Sequence, residues 1–566
     1  MRTKIVIVFL LLSSTAFAGT YYVSPTGEAA WGTSAGQCGN VSTGRDTPCS
    51  KDTANSEAVA GDTVIFLDGT YLSSGGINPT NSGTVGNVIT WKSENKHGAI
   101  ITISSYWGIT LLNGTDYHVF DGFYIKPQGG TSWVRTDSNT SYSYSGIEIK
   151  NCYFFSNTYY SWAGILICGS IDNWYIHDNY IHGPSGSEQG PSDPIFITTL
   201  VEEDIIEKIV IENNTIIGGY HNALMVQAAN GGTVRNIVFR KNYVSNINHT
   251  NIGFALGVSN SLIEDNVILN AGSICTRDGD GTTCTENENG TEGDQSKDRM
   301  WKYGIALLGS SGFIVRNNIL NNNGVAFAMD VDDSNNHRIY NNTVFGNTRG
   351  VGINASRIYG NWFLNNIFYN NTLDSAQLDY ELQVETLDET DYHNYFENNY
   401  VYSTFNSKFK NNADGTLMGT ITTIDAASSD ANNNIATNPN LSILTPTCVS
   451  CVETGGRYLT LANGTGSNST ELIVYDASFI YSGYGISTET GDIITVGSAT
   501  ATVASISGNT ITLVSPISWE NNAEIRLSKQ GVKIGTYRNY HCGNMVSGAG
   551  PHSITTGGSG SLTISP

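Results

Sequence analysis

The sequence predicts an all-β chain: a parallel β-helix, which is a solenoid of stacked coils, followed by a small antiparallel β module. Three observations lead to this fold class. A six-residue phrase of the form apolar, polar, polar, Asn, any residue, apolar recurs through the middle of the chain. Its copies follow a base period of 24 residues that is lengthened in places, as expected for one repeated coil carrying loops of varied length. After about residue 455 the phrase stops and short alternating strands replace it.

The recurring phrase explains why coils should stack. Each copy has short β-branched and aromatic runs broken by Gly and Asn, with no helical periodicity. One such coil cannot bury its apolar face, whereas stacked coils share a continuous core. We expect the central Asn side chains to pair from coil to coil and so to satisfy polar groups inside a turn. These residues are Asn179, Asn214, Asn242, Asn266, Asn318, Asn342, Asn366 and Asn399.

The first 18 residues have the features of a secretory signal. Arg2 and Lys4 supply positive charge, Ile5 to Leu12 is an apolar core too short to span a bilayer, and Ala16-Phe-Ala18 fits a cleavage site. We therefore expect a secreted or cell-surface protein with no membrane span. Nine cysteines suit an oxidising compartment. Cys38 with Cys49 and Cys275 with Cys284 are candidate loop-closing disulfides.

The charge balance excludes some partners. The chain has 28 basic and 50 acidic residues, a formal net charge of −22, which argues against nucleic acid and anionic membranes. It leaves an extracellular polysaccharide open as a partner, since a local basic patch or a bound cation can reverse the field. The oligomeric state is not predicted.

The region after the signal carries a family resemblance. Thr20-Tyr-Tyr-Val-Ser24, then Ala60 to Tyr71 with its Gly-Asp-Thr and Gly-Thr-Tyr elements, then Val88-Ile-Thr-Trp-Lys92 resemble the opening of secreted right-handed parallel β-helix proteins of the pectate-lyase-like superfamily. With the repeats, the resemblance covers roughly residues 20 to 445, and it implies a right-handed solenoid. It implies no single function, because this group includes polysaccharide lyases, glycoside hydrolases, epimerases, tailspikes and adhesins.

Long insertions indicate where a site should lie. They fall at one turn of the coil, just after the Asn phrase, at 182–194, 270–299 and 371–391. Shorter coils between them predict a groove across the rod, a shape suited to a sugar chain. On its floor we expect His221, His249, Lys302 and Tyr303 as catalytic residues for proton abstraction from a uronic acid, with a cation neutralising its carboxylate. The expected substrate-binding residues are Tyr220, Asn222, Asn251 and Trp301. The alternative is that these are ordinary turn residues on a hydrophilic surface.

The largest insertion is dense in oxygen ligands, and calcium is the cofactor it would suit. An EF-hand spacing is not met, so a solvated acidic loop is the competing interpretation. The predicted metal ligands are Asp278, Asp280, Glu286, Glu288 and Asp294.

A second acidic constellation is Asp330, Asp332 and Asp333. In a strand, the first two carboxylates would point to one face about 6.5–7 Å apart. That separation is within the range of an inverting glycosidase pair. Cation binding or simple exposure to water is the alternative.

A charged row lies two residues before each Asn, and strand alternation predicts that it faces outward. Its mixed signs favour a ladder of weak surface pairs. The row comprises Lys150, His177, Glu212, Arg240, Glu264, Arg316 and Tyr340.

The domain limits follow from these patterns: a signal at 1–18, the β-helix with its cap at 19–453, the antiparallel module at 454–528, and a return strand with a Gly/Ser-rich tail at 529–566. Three functions remain open. The first is a secreted polysaccharide lyase acting on an acidic glycan, with a glycoside hydrolase using the Asp pair as its enzymatic alternative. The others are a noncatalytic glycan-binding protein or adhesin, and a purely structural solenoid.

Overall fold

The computed structural model describes residues 18–73, 75–103, 107–127, 132–137, 142–155, 163–183, 193–219, 221–247, 249–271, 302–353, 355, 357–371, 382–384, 393–402, 409–411, 417–418, 431–434, 457–528, 552–555 and 561–564. The predicted signal and the predicted calcium ligands lie outside the described residues. Each coil of the solenoid contributes one strand to each of three long sheets, numbered 1 to 3 in the order in which a coil passes through them.

Sheet 1 is parallel throughout and contains the strands Thr20–Val23, Thr63–Phe66, Ile89–Ser93, His118–Asp121, Ser143–Ser145, Glu148–Lys150, Ser170–His177, Ile205–Glu212, Thr233–Arg240, Leu262–Glu264, Ile314–Arg316, Arg338–Tyr340, Trp362–Leu364, Tyr395–Glu397 and Ala431–Asn432. Sheet 2 is also parallel and contains Gly69–Ser73, Ala99–Ile103, Tyr124–Pro127, Tyr153–Phe155, Tyr180–His182, Thr215–Ile217, Tyr243–Ser245, Val267–Leu269, Ile319–Asn321, Thr343–Phe345, Ile367–Tyr369 and Tyr400–Tyr402.

Sheet 3 contains Ile109–Leu111, Val134–Thr136, Ala163–Cys168, Asp193–Thr198, Asn222–Gln227, Thr250–Ala255, Tyr303–Leu308, Val325–Met329, Arg349–Ile353, Leu382–Val384, Phe409–Asn411 and Leu417–Met418. All its pairs are parallel except the last. The described helices are Lys51–Glu57, capped by the Ser50 hydroxyl, and the 3₁₀ turn Ala229–Gly231. Neither has the length and apolar character needed to cross a membrane.

The turn between sheets 1 and 2 is built by two consecutive residues of the repeated phrase. The residue before each ladder Asn adopts a left-handed conformation, as at Asp178 (φ 55°) and Asn213 (φ 56°). This conformation suits Asn and Asp more than most side chains, because a short polar group can hydrogen-bond locally. The chain therefore bends sharply at the same place in every coil.

The predicted asparagine ladder is confirmed, and it runs through the interior of this turn. The Oδ1 atom of Asn318 accepts hydrogen bonds from the backbone N (3.0 Å) and Nδ2 (2.9 Å) of Asn266. The Nδ2 atom of Asn318 donates in turn to Asn342 Oδ1 (3.0 Å). The same pattern extends the ladder by one further residue, Asn434.

A second, unpredicted asparagine ladder lies between sheets 2 and 3. Asn323 Nδ2 donates to Asn347 Oδ1 (2.9 Å), and Asn347 Nδ2 donates to Asn371 Oδ1 (2.8 Å). Asn251 joins its start through a 2.9 Å hydrogen bond from Nδ2 to Asn323 Oδ1. Two of the three corners of a coil thus carry extended ladders of buried amides, and the corner between sheets 3 and 1 has a buried pair in which Asn361 Nδ2 donates to Asn394 Oδ1 (2.9 Å).

One continuous apolar core fills the solenoid. Inward positions repeat from coil to coil, as in the sheet 3 row formed by Ile195, Leu224, Ile252 and Ile305, all of which are fully buried. Such stacking satisfies the requirement that each coil bury its face against its neighbours. The described cysteines Cys38, Cys49, Cys152 and Cys168 are buried. No disulfide joins Cys38 to Cys49 in this structure, so their pairing in an oxidising compartment stays a prediction.

The predicted antiparallel module is confirmed as a six-stranded sheet. Its strands are Thr460–Leu461, Gly466–Ile473, Ile493–Val496, Ala499–Ser507, Thr510–Trp519 and Glu524–Leu527. A further antiparallel hairpin pairs His552–Thr555 with Ser561–Ile564. The module packs on the outer face of sheet 1, where one apolar cluster joins Leu262, Ile314 and Tyr340 of the solenoid to Phe479 and Ile494 of the module.

The charged row on sheet 1 does face out of the coil, but much of it is covered by the module. Arg316 lies 2.7 Å from Asp492, and its guanidinium is 5 % exposed. Arg240 lies 2.6 Å from Glu489, whose side chain is 1 % exposed. The expectation of weak surface pairs is wrong for these positions, because each arginine meets a carboxylate of the module in a desolvated interface.

Candidate functional site

The predicted groove residues start the strands of sheet 3. The registers Asn222↔Thr250 and Ile252↔Ile305 place His221, His249 and Lys302 at the same position of three successive coils. The His221 and His249 rings stack with centroids 5.0 Å apart. The fold therefore assembles in one column three residues that are 28 and 53 positions apart in the chain.

His221 is held by a buried carboxylate. Its Nδ1 lies 3.2 Å from Asp193 Oδ1, and the Asp193 side chain is only 4 % exposed, whereas that of His221 is 40 % exposed. Asp193 also accepts from the backbone N of Asn222 at 2.7 Å, which fixes the carboxylate in place. Asn222 Nδ2 is 2.7 Å from the same histidine nitrogen. In one tautomer His221 Nδ1 carries no proton and accepts a hydrogen bond from Asn222. In the other, Nδ1 is protonated and donates to Asp193, and Nε2 is then the ring nitrogen that can accept a proton.

His249 lies deeper and is neutral over most of the pH range. Burial, followed by the positive charges of His221 and Lys302, lowers the pKa of its imidazole to about 3. Its Nδ1 contacts the Thr250 hydroxyl at 3.0 Å. A neutral ring under His221 adds no repulsion when His221 takes up a proton.

Tyr303 is paired with a carboxylate of the next coil. Its hydroxyl donates to Asp330 Oδ2. Burial raises the pKa of Tyr303, the Asp330 charge raises it further, and Arg349 opposes that rise. The phenol therefore keeps its proton at neutral pH and does not act as a base.

Two predicted substrate-binding residues do not face the groove. Asn251 is fully buried, and its Nδ2 donates to Leu269 O and Asn323 Oδ1 inside the coil. Asn222 is 3 % exposed and holds Asp193. Both are predicted on the groove floor because they lie at the start of a strand in successive coils, but their side chains point inward. Tyr220 and Trp301 lie outside the described residues.

The predicted Asp pair is wrong in its geometry. The strand Val325–Met329 ends before Asp330, so the three aspartates occupy a turn and not a strand. Asp332 and Asp333 bind the guanidinium of Arg357, at 3.1 and 3.0 Å. The predicted strand spacing of Asp330 and Asp332 is therefore not present, and a catalytic role for the three aspartates stays a prediction.

The predicted insertions at 182–194 and 270–299 begin at the end of a sheet 2 strand and extend to the next strand of sheet 3, whereas 371–391 also contains the sheet 3 strand Leu382–Val384. Most of their residues lie outside the described part of the chain. Within the described residues, no group of three or more His, Cys, Asp or Glu side chains is arranged to hold a metal ion.

Asp193 is the residue that sequence reasoning missed. Its signal was its position, 28 residues before His221 at the start of the preceding strand of the sheet.

The comparisons agree with this architecture. Residues 197–399 match a family model described as a right handed beta helix region. The fold of this chain is a right-handed parallel β-helix. Its solenoid is similar to those of the pectate lyase Pel9A (14 % identity, TM-score 0.38, 62 % of this chain and 75 % of the other) and of a GH136 lacto-N-biosidase from Eubacterium ramulus (13 %, 0.40, 74 % and 68 %). It is also similar to PfbA, a surface adhesin of Streptococcus pneumoniae (17 %, 0.36, 55 % and 83 %). No curated protein matches the chain.

Proposed function

We propose that this β-helix protein is an exported polysaccharide lyase that cleaves an acidic glycan at the outer face of sheet 3. The observation that carries the proposal is the His221–Asp193 pair, a partly exposed imidazole held by a buried carboxylate at the head of a column that also contains Lys302. A carboxylate that orients a histidine and stabilises its cation is a common arrangement for general-base catalysis.

The column supplies the parts that elimination from a uronate needs. His221 Nε2 takes the proton at C5, and Lys302 offsets the negative charge that then spreads onto the sugar carboxylate. The electron pair forms a C4=C5 double bond while the C4–O glycosidic bond breaks. The leaving oxygen then needs a proton, which the Tyr303 hydroxyl or solvent water supplies.

The test is the ultraviolet absorbance of unsaturated uronate ends. Purified protein is incubated with pectate, alginate, a glycosaminoglycan and an ulvan-like polymer, each with calcium and with a chelator. A rise on one polymer that is lost in His221→Ala supports the proposal. His177→Ala is the matched control, because His177 lies on the outer face of sheet 1 between Glu148 and Asp178.

Two results would contradict the proposal. New reducing ends without unsaturated products would indicate hydrolysis. Binding of a polymer with no product of either kind would favour a noncatalytic glycan-binding protein. Loss of the rise with the chelator would point to the predicted calcium ligands at 278–294, which stay a prediction.

A further inference from the structure

An apolar strip with a cation at one end lies on the outer face of sheet 3. The registers Leu166↔Arg135, Leu166↔Phe196 and Phe196↔Met225 place these residues side by side on successive coils. Each is partly exposed, while its neighbours along the strand are buried inward residues such as Val134. The strip therefore faces solvent. Its last residue, Met225, belongs to the strand that begins directly after His221.

Arg135 is the unusual member of this strip. Its guanidinium lies over the Trp107 ring, 4.2 Å from the centroid, and its Nε is buried without a hydrogen-bond partner among the described residues. Among the described residues, no carboxylate forms an ion pair with Arg135. Eight other described arginines do bind a carboxylate: Arg45, Arg235, Arg240, Arg316, Arg338, Arg357, Arg457 and Arg526.

An arginine without a carboxylate is costly in this setting. The chain carries 50 acidic residues, so counter-charges are plentiful, yet within the described residues none forms an ion pair with Arg135, not even Asp137 two positions along the chain. A partly buried charge loses hydration that only a partner can replace. The Trp107 ring contacts the face of the guanidinium, and such stacking leaves the N–H edge free to bind a carboxylate through two parallel hydrogen bonds.

We infer that Arg135 and Trp107 form a subsite for the carboxylate of a uronate unit, on the same glycan chain whose other end reaches His221. The inference rests on the proposed function. Leu166, Phe196 and Met225 then contact the C–H faces of the intervening sugars. Arg135 and Met225 are three coils apart, about 14 Å at the usual spacing of 4.7–4.9 Å between strands. The glycan thus runs along the rod axis.

Binding and turnover are measured separately to test the subsite. Affinity electrophoresis in gels containing polygalacturonate or alginate reports binding, with neutral dextran as the polymer control. We expect Arg135→Met to weaken binding of the retained polyuronate about 10- to 100-fold, the effect of losing a charged hydrogen bond. Arg135→Lys should recover part of it, because the charge remains without the planar fork. Arg235→Met, which removes the same charge from sheet 1, should bind like the parent.

The kinetic arm separates this inference from the proposed function. For a polymer that is cleaved, Arg135→Met should raise KM with kcat unchanged, and a disaccharide too short to span the strip should show no difference between the two proteins. Arg135-dependent retardation by a polymer that is never cleaved would refute the lyase proposal and support the subsite. Equal retardation of Arg135→Met and the parent, equal retardation by dextran, or no retardation of the parent by either polyuronate would overturn the subsite.

Discussion

Replacing Asn318 by alanine should destabilise the solenoid far more than the loss of one surface amide would. Asn318 is fully buried in the ladder between sheets 1 and 2. Its Oδ1 accepts from the backbone N and Nδ2 of Asn266, and its Nδ2 donates to Ile263 O (2.9 Å) and to Asn342 Oδ1. Alanine removes all four contacts and leaves the Asn266 backbone N–H without its acceptor.

The magnitude follows from these contacts. A buried donor left without a partner costs about 1–3 kcal/mol, and each further lost hydrogen bond costs about 0.5–1.5 kcal/mol net. Counting the orphaned N–H and the three further lost bonds gives a loss of about 2.5–7.5 kcal/mol in the free energy of unfolding. Asn318→Asp should cost at least as much, since it places an oxygen against the Ile263 carbonyl and the Asn342 Oδ1.

Urea denaturation followed by far-ultraviolet circular dichroism measures this loss, and amide hydrogen exchange at Asn266 locates it. Asn87→Ala is the matched control, because the Asn87 side chain is exposed and such surface changes stay within about 0.5 kcal/mol. A midpoint for Asn318→Ala equal to that of Asn87→Ala would refute the reasoning, and so would unchanged exchange at Asn266.

Three further predictions concern the site, the module and acid. If the lyase proposal holds, Asp193→Asn should lower kcat about 10²- to 10⁴-fold, measured as the rate at which unsaturated ends form, while the melting temperature stays that of the parent. An unchanged kcat would remove Asp193 from the mechanism. Asp492→Ala should cost about 3 kcal/mol, because it leaves the buried Arg316 short of a partner, and limited proteolysis should then release the module first, which Glu471→Ala should not do. Burial lowers the pKa values of His118 and His337 to about 3. The unfolded chain therefore binds up to two more protons at these sites as pH falls from about 6.5 to 3, and stability should drop by up to about 2.7 kcal/mol per pH unit on their account; a thermal melt that is flat with pH would contradict this.

Much of the fold could be predicted because a short sequence repeat determines the conformation of each coil. The six-residue phrase fixes the left-handed residue and the Asn that follows it, so the first ladder and the stacking of coils were predictable from spacing alone. The second ladder at Asn323, Asn347 and Asn371 was missed because its residues lie outside the phrase. Their common spacing of 24 residues was nevertheless present in the sequence.

The docking of the module could not be predicted in the same way. Arg316 and Asp492 are 176 residues apart, and Arg240 and Glu489 are 249 apart. Read along the solenoid alone, alternating charges on adjacent coils look like surface pairs, because each arginine has a glutamate of the neighbouring coil within reach, as Arg316 has Glu264. Only the position of a separate sheet shows that these pairs are buried and that two of the arginines have second, distant carboxylates.

The candidate site shows how the repeat and the chemistry depend on each other. The phrase determines the register of each coil, and that register brings His221 level with His249 and Lys302, although insertions make their spacing along the chain irregular. What the repeat does not determine is the depth of each side chain, which is why Asn251 turned inward. Two residues depart from the repeat: Asp193, whose carboxylate contacts His221, and Arg135, which has no carboxylate partner among the described residues. Neither arrangement is explained by a contribution to the stability of the solenoid. They are therefore the positions where substitution should change binding or turnover before it changes the fold.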